Sequence, residues 1–184
     1  MKDVLIIVDM LNDFVDTEKG ALAFPKAKEI VNAIREKLDA YRDADKPIIY
    51  ICDAHDPDDE EFKRFPKHAV KGTWGAEIIN ELRPLSKSYK QNRTFVLTKT
   101  RYSGFFSTDL DRILQYFPID TVEVCGVCTS ICVMDTVGGL ANRDYKTFVD
   151  MDAIADFDND MHDFAIKRME AIYGTEIELP MVLP

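Results

Sequence analysis

Five short runs of aliphatic and β-branched residues are strung along this chain with segments of helical period between them, and that alternation limits the fold more than any other feature. The runs are VLIIVD (4–9), PIIYIC (47–52), TFVLTK (94–99), TVEVCG (121–126) and KTFVD (146–150). Each is short and apolar enough to be a strand buried on both faces. Between them Ile30, Val31, Ile34 and Leu38 repeat at three and four residues, and Leu110, Ile113, Leu114 and Phe117 do the same. That is the spacing of one helix face, and residues 128–143 and 158–173 are also helix-like. Parallel neighbours need a crossover connection, so the alternation predicts an α/β three-layer sandwich, a mostly parallel central sheet flanked by helices.

A chain of 184 residues is long enough to bury one core without staples, and no linker or repeat divides it, so a single domain over 1–184 is expected. No apolar run approaches the roughly 18 residues of a membrane span. The apolar run of the opening MKDVLIIVDM is interrupted at Asp9 and no small-residue cleavage site follows, so a cytoplasmic location is the default. Lys and Arg number 23 against 33 Asp and Glu, a net charge of -10. This balance disfavours the phosphate contacts that dominate nucleic-acid binding. Neither nucleic acid nor membrane is an expected partner.

In open parallel sheets the ligand crevice lies outside the carboxyl ends of the strands, so polar residues at those ends mark the candidate site. They are Asp9, Asp53, Lys99 and the turn from Gly126 to Cys132. The one long irregular stretch, about 53–73, follows the second strand and holds two of the three histidines. Loops of that length in a compact domain are commonly functional.

The segment VEVCGVCTSICV, 122–133, carries three of the four cysteines. Three roles are open to them: metal ligands, a redox pair, or one nucleophile with two bystanders. A C-x2-C-x3-C metal site lacks a fourth ligand, and a strand residue such as Cys125 points away from a helix-start site. A C-x-x-C redox motif at 125 and 128 straddles the strand end instead of following it. Cys128 and Cys132 fall in or near the first turns of the next helix, where unpaired N–H groups favour anions, lower a thiol pKa and supply oxyanion donors. Cys132 beside an Asp base and a Lys cation is then a workable acyl-transfer nucleophile. Cys52 and Cys125 read as small buried hydrophobes.

Asp53, His55, Glu61 and His68 form a separate candidate, a metal site in the loop. Two imidazoles with two carboxylates suit Zn, Fe or Mn and leave positions for water and substrate. Glu61 follows Asp58, Asp59 and Glu60, any of which can compete for its place. His162 is expected on an exposed helix face, and Trp74 in GTWG as packing.

With these residues assembled, the chain resembles the isochorismatase-like cysteine hydrolases from Val4 to about Gly174. Asp9 in IIVDMLNDF, Lys99 in LTKTRYSGF and Cys132 in GVCTSICV are similar to the Asp, Lys, Cys triad of that family. The resemblance implies a Rossmann-like sheet and an acyl-transfer site. DAH at 53–55 followed by EFKRFPKH at 61–68 is similar to the metal loop of the nicotinamidases. It implies one divalent ion, zinc first, held by Asp53, His55, Glu61 and His68, and hydrolysis of nicotinamide to nicotinate and ammonia. Relatives acting on carbamoyl or isochorismate substrates generally lack that loop.

The resemblance also implies Phe14, Phe65 and Tyr102 as the aromatic walls around the ring, an oxyanion hole from the backbone of Cys128 and Cys132, and a cis bond between Val127 and Cys128. The family often assembles into homo-oligomers. Ser130 departs from its pattern, which commonly has Asp there.

Overall fold

The computed structural model describes residues 1–84 and 93–179. Twelve elements carry the fold: β1 (Val4–Val8), α1 (Asn12–Val15), α2 (Pro25–Glu29), α3 (Val31–Asp43), β2 (Ile48–Asp53), β3 (Thr94–Lys99), α4 (Leu110–Tyr116), β4 (Thr121–Val127), α5 (Met134–Ala141), β5 (Lys146–Ala155), α6 (Asn159–Tyr173) and β6 (Glu176–Glu178). The strands form one sheet in the order β3-β2-β1-β4-β5-β6, and each described pairing is parallel. This is the α/β architecture expected from the alternation of runs.

Strand alternation sorts the core into two layers. Leu5, Ile7, Ile48, Tyr50, Cys52, Cys125 and Val127 face one side, where Ala27, Ile34 and Leu38 of α2 and α3 cover them. Val4, Ile6, Val8, Ile49, Ile51, Val122 and Val124 face the other, against Leu110 and Leu114 of α4, Val137 and Leu140 of α5, and Met169 of α6. Burial on both faces is why these strands read as continuous apolar runs rather than alternating ones.

Three short elements, α1, α2 and β6, have no counterpart among the runs read from the sequence, and one strand runs longer than expected. The strand expected at 146–150 continues to Ala155, across a register shift opposite Val124 and Gly126. Its middle, Asp150 to Asp152, is polar and partly exposed, so no apolar run announces it. The edge strand β6 is three residues, Glu-Ile-Glu, too short to show a period.

Gly126 is the residue that lets β4 pass β1 at the site end. Its φ is +114°, and a Cβ there would stand 2.0 Å from the carbonyl oxygen of Val8. Backbone of the neighbouring central strand cannot yield cheaply, so Gly126→Ala combines overpacking with left-handed strain. The expected loss is about 3 kcal/mol or more, a fall in melting temperature of roughly 10 °C. Thermal denaturation measures it, and an unchanged midpoint contradicts the assignment. Among the described residues no helix is long and apolar enough to cross a membrane.

Candidate active site

Strand order changes direction between β1 and β4, and the carboxyl ends on either side of that point hold the candidate residues. Register does the placing. Asp53 ends β2 directly opposite Lys99, which ends β3. Asp9 follows β1 in a left-handed conformation with φ +51°, and its N–H donates to the Ile51 carbonyl at 2.8 Å. Such a backbone costs an L-residue about 1–2 kcal/mol, and strain of this kind clusters where a side chain must be aimed. Here it turns the Asp9 carboxylate back to accept from the Asp53 N–H at 2.7 Å.

Lys99 is fully buried, yet its ammonium is satisfied by the site itself. Nζ lies 2.7 Å from Asp9 Oδ2, 2.5 Å from Asp53 Oδ1 and 3.4 Å from Cys132 Sγ. Burial opposes its charge, but the carboxylates of Asp9 and Asp53 hold its pKa well above the usual lysine range. The sulfur of Cys132 and the carboxylates of Asp9 and Asp53 each offer an atom within 4.8 Å of the others. Three residues from separate parts of the sequence, Asp9, Lys99 and Cys132, thus meet as the sequence reading expected.

Burial and the neighbouring Asp53 charge raise the Asp9 pKa to about 6, and Lys99 only partly offsets them. At neutral pH the carboxylate is mostly ionised and within reach of protonation, the range suited to a general base. Cys132 departs from the expectation of a lowered pKa. Burial drives its thiol well above the ordinary value; Lys99 opposes the shift, and the charges of Asp9 and Asp53 add to it. The resting sulfur is a thiol, so an adjacent base has to take its proton as it reacts.

The backbone that carries Cys132 is not a regular helix start. Thr129–Val133 forms a π turn, closed by the Val133 N–H donating to the Cys128 carbonyl at 3.2 Å. Turns of this type recur at functional sites. The Val127–Cys128 bond is cis. The buried Asp156 carboxylate accepts the Ser130 N–H at 2.7 Å, so a carboxylate does stand at this turn, supplied from the end of β5. His162 donates to or accepts from Thr129 Oγ1 at 2.9 Å and is half-buried, not exposed as its polar helix suggests. All four cysteines are free. Cys125 faces the core layer opposite to that of Cys132, so the two share no site.

Beside the triad lies the second cluster. Asp53, His55 and His68 each present one ligand atom within 4.8 Å of one another, and all three are buried. His55 Nδ1 meets the Asp59 carboxylate at 3.1 Å and His68 Nδ1 meets the Pro66 carbonyl at 2.7 Å. Both partners only accept, so both Nδ1 atoms carry the proton and both Nε2 lone pairs are presented to the cluster. Among the described residues His55 Nε2 is buried with no hydrogen-bond partner, and so is Glu61 Oε2. Buried orphans of this kind are costly, and a divalent cation would satisfy both. Glu61 stands just outside the tight trio, its Oε1 4.0 Å from His68 Nε2. Asp58 and Glu60 point to solvent. The donor set therefore fits a divalent ion, with Asp53 shared between it and Lys99.

A cavity of about 430 Å³ opens onto both clusters. Asp9, Cys128, Cys132, Asp53, Glu61 and His68 line it, and so do Phe14, Phe65 and Tyr102. The ring of His68 lies 5.5 Å from that of Phe14 and 6.3 Å from that of Phe65. Leu22, Phe24, Ile131 and Phe157, which sequence reading did not single out, also line the cavity. No lysine or arginine lines the cavity among the described residues. Trp74 is 43% exposed and serves through its carbonyl, which accepts from Asn12 Nδ2, so its indole is not the packing element expected.

The isochorismatase domain model matches residues 3–179. Among solved structures the chain is similar to the nicotinamidase/pyrazinamidase PncA of Bacillus subtilis, with 32% identity, a TM-score of 0.89, and 97% of this chain and all of that one covered. It is similar to N-carbamoylsarcosine amidase of Thermoplasma acidophilum at 35% identity and TM-score 0.84, over 100% and 99% of the two chains. A pyrazinamidase of Pyrococcus horikoshii solved in complex with zinc matches at 26% identity and TM-score 0.86, over 98% and 100%. With a domain match spanning nearly its whole length and the triad geometry in place, the chain belongs to the isochorismatase family.

Proposed function

We propose that the protein is a metal-dependent cysteine amidohydrolase that converts nicotinamide to nicotinate and ammonia. The observation that carries the reading is the Lys99 ammonium held at once by Asp9, Asp53 and the Cys132 sulfur, three residues that line one cavity and join a nucleophile and base to a candidate metal donor. Asp9 removes the thiol proton as Cys132 Sγ bonds to the amide carbon, and the carbonyl electrons move onto oxygen. Backbone N–H groups of Cys128 and Cys132 are the donors assigned to that oxyanion. Asp9 then returns the proton to nitrogen, the C–N bond breaks, and ammonia leaves a thioester. A water deprotonated by Asp9 attacks the thioester, and the acid departs as the thiol is restored. Lys99 holds Asp9 and Asp53 in place and tempers the charge that accumulates between them.

Asp53, His55, His68 and Glu61 would hold the ion, which when bound supplies an orienting site for the ring nitrogen and for water. Phe14, Phe65 and Tyr102 would flank the ring.

Two features favour a neutral aromatic amide over an N-carbamoyl amino acid, a substrate type named for one of the relatives. The walls are aromatic, and among the described residues no cationic side chain lines the cavity to receive a substrate carboxylate, whereas three of its lining residues are acidic. Leaving a carboxylate unpaired in a buried site is costly. Ammonia release should therefore be far greater from nicotinamide than from N-carbamoylsarcosine, and should fall when a chelator strips the metal. Indifference to chelator together with preference for the carbamoyl compound would overturn the assignment.

A further inference from the structure

Asp59 offers no atom to the donor cluster, yet it touches two of the residues that do. It caps the 3-10 turn Glu60–Lys63, its Oδ1 accepting the Glu61 N–H at 2.9 Å. Oδ2 meets His55 Nδ1 at 3.1 Å. Both oxygens receive Arg101 Nη1, at 2.9 and 3.0 Å, and that guanidinium also stands 3.9 Å from Glu61 Oε2. Arg101 lies two residues beyond Lys99, so the pair ties the loop to the strand that carries the triad lysine. The Asp59 side chain is 7% exposed and Arg101 is one-third exposed.

We propose that Asp59, clamped by Arg101, is the positioning residue of the metal loop. It fixes which nitrogen of His55 faces the cluster and where Glu61 stands. This inference rests on the metal reading above and goes beyond the four donors themselves. The chemistry is that of a carboxylate that can only accept. Facing it, His55 must keep its proton on Nδ1, which leaves Nε2, 3.6 Å from Asp53 Oδ2, free to ligate.

An asparagine at 59 has nearly the same shape and one oxygen fewer. With its NH2 toward His55, the ring must move its proton to Nε2, the ligating atom. With its NH2 the other way, it confronts two donors, the Glu61 N–H and Arg101. Either arrangement spoils a metal donor without touching the cavity.

Zinc affinity tests this directly. The full chain, stripped of metal, is titrated with Zn²⁺ against a chromophoric chelator as wild type, Asp59→Asn, Arg101→Gln and His55→Ala. Asp59→Asn should weaken Zn²⁺ by roughly 10–100-fold and Arg101→Gln by less in the same direction. Saturating Zn²⁺ should restore the kcat of Asp59→Asn, while alkylation of Cys132 in the metal-free chain stays at the wild-type rate. Wild-type affinity in both variants overturns the proposal and leaves the metal site standing. If wild type binds Zn²⁺ no better than His55→Ala, the metal reading itself falls. Should Asp59→Asn not fold, the affinity of Arg101→Gln decides the matter alone.

Discussion

Lys99→Met is expected to lower turnover by about 10²–10⁴-fold and to destabilise the protein by about 3–5 kcal/mol. The two losses have one cause. In the wild type a single buried cation faces the carboxylates of Asp9 and Asp53 at 2.7 and 2.5 Å. Methionine fills the volume but leaves two carboxylates facing each other in a dry site. Relief comes from taking up a proton, which pushes Asp9 above its present value of about 6 and silences it as a base at neutral pH.

The sign of the pH dependence follows. A carboxyl whose folded pKa exceeds its unfolded value binds more protons when folded, so it favours the fold at low pH. That contribution is lost as pH rises through the folded pKa. The variant's melting temperature should therefore lie closer to wild type at pH 5 than at pH 8. Thermal denaturation at the two values checks this, and a deficit that shrinks with rising pH contradicts it.

The parts of the site that sequence disclosed are those set by the sheet. Asp9, Asp53 and Lys99 each terminate an apolar run, and in a parallel sheet such termini lie on one edge, so their meeting follows from topology alone. Cys132 was legible because it alone among the cysteines follows a strand with a turn between. The trio of Asp53, His55 and His68 was legible as His and Asp at and after one strand end, but Glu61 could be separated from Asp58, Asp59 and Glu60 only by burial, which depends on how the 3-10 turn is rolled. The role of Asp59 was hidden for the same reason. Its partners His55 and Arg101 are 4 and 42 positions away, and no local pattern joins them.

The direction of the Cys132 shift was misread because a helix start and a lysine are visible in sequence, whereas full desolvation beside two carboxylates is not. The rest of the cavity lining was missed because Leu22, Phe24, Ile131 and Phe157 are ordinary apolar residues from three segments. Position 130 resolves in a similar way. A carboxylate stands beside Ser130 as Asp156, which follows β5 and accepts the Ser130 N–H, and none of the apolar runs read from the sequence leads up to it.

Cys132→Ala carries the largest effect of all. Removing the sulfur leaves Asp9 with no proton to accept from a nucleophile, and only cavity binding and oxyanion donors remain. Turnover should fall by more than about 10⁴-fold. Metal content should not change, because Cys132 belongs to the Asp9 side of Asp53 and not to the His55 and His68 trio. The most direct measurement is therefore ammonia release from nicotinamide by zinc-loaded wild type and zinc-loaded Cys132→Ala, with metal content determined on both. The account predicts steady release from the wild type and none above background from the variant at equal zinc. Comparable release from the two proteins would contradict it.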